Sequence, residues 1–65
     1  MNTDAKVLGI IADLNQSECE EILAEYDMTP QGNHDLTDLR NIIKAYYSRD
    51  LIYGNDIVST WGPSQ

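Results

Sequence analysis

The sequence predicts an all-α domain in which three short helices are built around a helix, extended loop and helix unit, with an irregular C-terminal tail. Three observations predict it. Apolar residues recur at steps of three and four within residues 19–26 and again within 39–46, the period that puts side chains on one face of a helix. Cap-forming residues, Thr3, Asn15, Ser17, Asp35 and Thr37, stand just ahead of apolar-periodic stretches. Finally, 65 residues with 42% hydrophobic content allow a single small core that buries about 60% of the surface the unfolded chain exposes. We place one domain over residues 1–58 and a tail over 59–65.

The first helix is expected over residues 3–14. Thr3 can cap it, Asp4 lies at its positive end, and Val7, Leu8, Ile11 and Leu14 form the stripe that should face the core. Gly9 inside it costs up to about 1 kcal/mol relative to alanine, so this helix should depend on packing against the rest of the domain. The second helix has two candidate starts, Asn15 with Glu18 and Ser17 with Glu20, both at capping-box spacing. The Asn15 start also sets Leu14 and Cys19 as a hydrophobic staple. Either start buries Cys19, Ile22, Leu23 and Tyr26 and turns Glu18, Glu20, Glu21 and Glu25 toward water. Pro30 is expected to end this helix, because it disfavours helical geometry at Thr29 and has no amide proton.

A third helix follows Asp35 or Thr37, with Leu39, Ile42, Ile43 and Tyr46 as its apolar stripe and Arg40 and Lys44 on its exposed side. From Ser48 onward two readings stay open. Gly54 can be the left-handed C-cap of a helix continuing through Leu51, Ile52 and Tyr53, the reading we favour, or the first turn residue of a hairpin. Trp61 is the one anchor of the tail.

Charge narrows the function. Four Lys and Arg against eleven Asp and Glu give a net charge of -7, which opposes approach to a phosphate backbone and favours cations or basic protein surfaces. Three of the four basic residues, Arg40, Lys44 and Arg49, lie on or just after the third helix, whereas the second carries acids. A lone cysteine, Cys19, excludes an internal disulfide framework and fits a reducing cytoplasm, the host cytoplasm for a phage or viral protein. Residues 7–14 are too short for a membrane span. One histidine and one cysteine with no partner at a recognisable spacing supply no nucleophile and base, and no glycine loop cradles phosphate, so no catalysis and no cofactor are expected. His34 reads as a solvated loop residue and Cys19 as a small buried hydrophobe.

Two resemblances rest on the central unit. Asp27, Thr29, Gln31, Asp35 and Asp38 fall at positions 1, 3, 5, 9 and 12 of a twelve-residue frame with Gly32 at position 6, which resembles an EF-hand and implies oxygen coordination of calcium or magnesium. The frame departs from that family at Asp38, shorter than the usual glutamate, at Thr29 and Gln31 in place of carboxylates, at Pro30, and at His34 where an aliphatic residue normally stands. The segments Ser17-Glu18-Cys19-Glu20-Glu21-Ile22-Leu23-Ala24-Glu25-Tyr26, Met28, Gly32-Asn33 and Asp38-Leu39-Arg40-Asn41-Ile42-Ile43-Lys44-Ala45-Tyr46-Tyr47 resemble a SAP-type module and its LEM and HeH relatives. That resemblance implies two helices across an extended loop, and nucleic-acid binding through Arg40, Lys44 and Arg49, against which the surrounding acids argue.

The expected function is therefore a non-enzymatic interaction module whose partner is a protein with a basic or mixed surface. Tyr47, Tyr53 and Trp61 fall partly off the apolar stripes and, with Glu21 and Glu25, are the expected contact residues. The size and acidity suit a phage or mobile-element accessory protein, or a small component of a larger assembly.

Overall fold

A computed structural model describes residues 3–62. Among these the chain forms four helices and no strand: α1 Thr3–Asp13, α2 Gln16–Glu25, α3 Leu36–Ser48 and α4 Gly54–Trp61. The all-α class is as expected; the fourth helix is not. Thr3, read as the cap ahead of α1, is its first residue.

In α1 the buried residues are Val7, Ile10 and Ile11, and Leu14 just beyond its end continues the same face. This corrects the expected stripe. Ile10 faces inward and Leu8, 36% exposed, faces out. The helix is apolar on both sides, so its sequence could not say which side the rest of the domain would cover.

Asn15 is the cap of α2. Its side-chain oxygen accepts the Glu18 amide at 2.8 Å while the Glu18 carboxylate accepts the Asn15 amide at 2.9 Å, a complete capping box. Leu14 and Cys19, flanking it, are both buried. The helix does not run to Pro30. It ends at Glu25, because Asp27 adopts φ 60 and lets the Asp27 amide bond Ala24 O at 3.1 Å and the Met28 amide bond Leu23 O at 2.8 Å. This pair of bonds is a Schellman closure, with Met28 turned back against the core. Gly32, at φ 82, then redirects the exposed loop, and Asp35 caps α3 by accepting the Asp38 amide at 2.9 Å.

The end of α3 repeats the end of α2. Asp50 takes φ 60, its amide bonds Tyr47 O at 3.1 Å, and the Leu51 amide bonds Tyr46 O at 2.9 Å. The chain therefore neither continues as a helix through Tyr53 nor turns as a hairpin at Gly54. Ile52 drops into the core at 1% exposure, and Gly54 opens α4. Gly54 is not a left-handed cap. A Cβ there would stand 3.1 Å from both Tyr47 Cε1 and Val7 Cγ2, so the missing side chain is what lets α4 approach α1 and α3.

Short and rich in β-branched residues, α4 would be marginal alone; burial of Ile57 against the core holds it. It takes up residues 59–61, which the sequence assigned to a tail, and Trp61 packs against the core from its last position. The main helix contacts are α1 with α4, α1 with α3, and α2 with α3. Ile22 and Leu23 share one apolar cluster with Ile42 and Ile43, and no polar side chain is buried among the described residues. No helix is long and apolar enough to cross a membrane among the described residues.

Asp27 and Asp50 each combine a left-handed backbone with a negative charge at a helix C-terminus, two unfavourable features at one residue. Asp27→Gly or Asp50→Gly should therefore raise stability by about 1 kcal/mol, read as a rise of roughly 4–8 °C in thermal midpoint by circular dichroism.

Candidate interaction surface

The residues singled out in the sequence separate into scaffold and surface once folded. Tyr47 belongs to the scaffold. Its ring lies half-buried against Gly54 and its hydroxyl donates to Asp4 Oδ1, joining α3 to the first turn of α1. That hydrogen bond, ahead of burial, raises the phenol above its ordinary range. Trp61 is half-buried at the end of α4, where it walls a groove of about 430 Å³ over Gly9 and Ile10 of α1.

Tyr53 is different: it is 62% exposed. It caps α4 without using its own side chain, and its backbone amide donates to the Tyr26 hydroxyl at 3.2 Å. That hydroxyl in turn donates to Asp56 Oδ2 at 2.5 Å. In an ordinary capping box the third helical residue reaches back to the cap amide directly. Here Asp56 holds that third position and reaches the Tyr53 amide through a tyrosine from α2, so one phenol replaces the missing local cap. The rings of Tyr26 and Tyr53 meet edge to face, centroids 6.4 Å apart and planes at 68°, a favourable aromatic geometry. Burial, then the bond to Asp56, raises the Tyr26 phenol, with a smaller contribution from the Glu25 carboxylate.

Glu25 and Asp56 are thus the carboxylates closest in effect to the tyrosine pair, and both are exposed. Leu51, 45% exposed, precedes Tyr53 by two residues. Glu21 is exposed one turn before Glu25 on α2. The arrangement offers an exposed aromatic whose ring meets that of Tyr26, with the Asp56 carboxylate on the Tyr26 hydroxyl. Sequence reasoning missed Asp56 and Tyr26, whose contact spans 30 residues; the remaining local signal was an acid three positions after the cap of α4.

The basic set is not equally available. Arg40, placed on the exposed side by the sequence pattern, is half-buried, and its Nε donates to Leu14 O at 2.8 Å. It closes the C-terminal end of α1 from α3, supplying the positive group that a helix C-terminus favours. Its nearness also draws the Cys19 thiol down, but burial dominates and leaves that thiol raised above its usual range. Lys44 and Arg49 are exposed.

The calcium-type frame is not gathered. Asp27 ends α2, Asp35 is engaged as the α3 cap, Asp38 lies in the first turn of α3, and Thr29 and Gln31 are exposed in the loop. Among the described residues no group of three or more His, Cys, Asp or Glu side chains is placed to hold a metal ion. His34 is half-buried rather than solvated, its Nε2 donating to Gln31 O at 2.9 Å, which closes the loop on itself.

No protein-family model matches the chain, and no curated protein or solved structure matches it either. The described residues therefore define a class by fold alone, a small domain of four helices, and function must be argued from its surface.

Tyr26→Phe removes the hydroxyl that joins Tyr53 to Asp56 and should lower stability by about 1–2 kcal/mol in chemical denaturation. Tyr26 and Tyr47 both hold their protons more tightly folded than unfolded. Above the ordinary tyrosine range, near pH 10, the unfolded chain therefore binds fewer protons than the fold, and stability falls as pH rises from there. The contribution is complete below that range, and Tyr26→Phe should flatten the alkaline decline. Arg40→Met keeps the aliphatic stem but leaves the Leu14 carbonyl without its donor. The expected loss is about 1–3 kcal/mol, and a variant as stable as wild type would show that the contact contributes nothing.

Proposed function

We propose that the chain is a non-enzymatic docking module, a helix, extended loop and helix unit of the SAP-like kind extended by α1 and α4, which binds a protein partner of basic or mixed surface. One observation carries the reading. Tyr53 stands exposed yet fixed, with its backbone amide tied to Tyr26 and its ring seated on the Tyr26 ring. An aromatic that is already immobilised gives up little rotamer freedom on binding, which is why such residues act as interface anchors. Asp56 on the Tyr26 hydroxyl and Glu25, whose charge acts on the same phenol, together with the net charge of -7, favour lysine and arginine on the opposing surface. Nucleic-acid binding through Arg40, Lys44 and Arg49 is the weaker reading, since Arg40 is engaged with Leu14.

The test is affinity capture with wild-type protein and with Tyr53→Ala, both checked for unchanged helical content. A partner held by wild type should be lost or weakened by about thirtyfold with the variant, the scale of an interface hot spot. Equal capture by both would remove Tyr53 from the interface and this reading with it.

A further inference from the structure

We draw no further inference here: the strongest candidate, the groove over Gly9 and Ile10 of α1 that Trp61 walls from the end of α4, is lined by charges of both signs at Lys6, Asp13 and Glu18, and nothing in the structure shows what covers it.

Discussion

The domain depends on α1 being gripped from two sides. Its inward residues, Val7, Ile10, Ile11 and Leu14, are covered by α3 and α4 together, while α2 joins the core through its contact with α3. Among the described residues no second layer covers α1 by other means. Ile52 and Ile57, supplied by the link and by α4, complete its cover, which is why residues beyond Ser48 must fold back instead of trailing away. Removing α4 from that position would expose an apolar face on the element the others pack against.

Where apolar packing stops, long-range hydrogen bonds hold the helices in register. Arg40 reaches from α3 to the end of α1, Tyr47 from α3 to the start of α1, and Tyr26 from α2 to the start of α4. Each serves a helix terminus, where backbone groups lack intrahelical partners. The same economy reaches the surface: the phenol of Tyr26 joins the Tyr53 amide to Asp56 at the start of α4, and its ring meets the exposed ring of Tyr53 edge to face.

Much of this was legible along the chain where the signal was local. The Asn15 to Glu18 capping box, the Asp35 cap, the Gly32 turn and the burial of Leu39 and Ile43 all follow from neighbours within four residues. The errors are of one kind. Leu8 and Ile10 were exchanged because α1 is apolar on both sides, and α4 was missed because Gly54 and Asn55 look like turn residues and Ile57 and Val58 favour strands. Arg40 was read as exposed because its helical position alone could not reveal the carbonyl of Leu14, 26 residues away. Exposure followed the same division: Glu25 faces water and the off-stripe Tyr53 is exposed, whereas Tyr47 and Trp61, also off-stripe, are half-buried, and the contact of Asp56 with Tyr26 was not foreseen.

The sequence by itself determined the helical class, the ends of α2 and α3 that are capped by adjacent side chains, and an acidic character that disfavours phosphate. Periodicity and capping are one-dimensional properties, set by spacing that the backbone repeats. Only the tertiary structure decided which face of α1 is inside, that eight residues poor in helix propensity form α4, and that the Tyr53 amide is bonded to the Tyr26 hydroxyl. Each of those outcomes rests on contacts between residues far apart in sequence, whose energies exceed the local preferences they override.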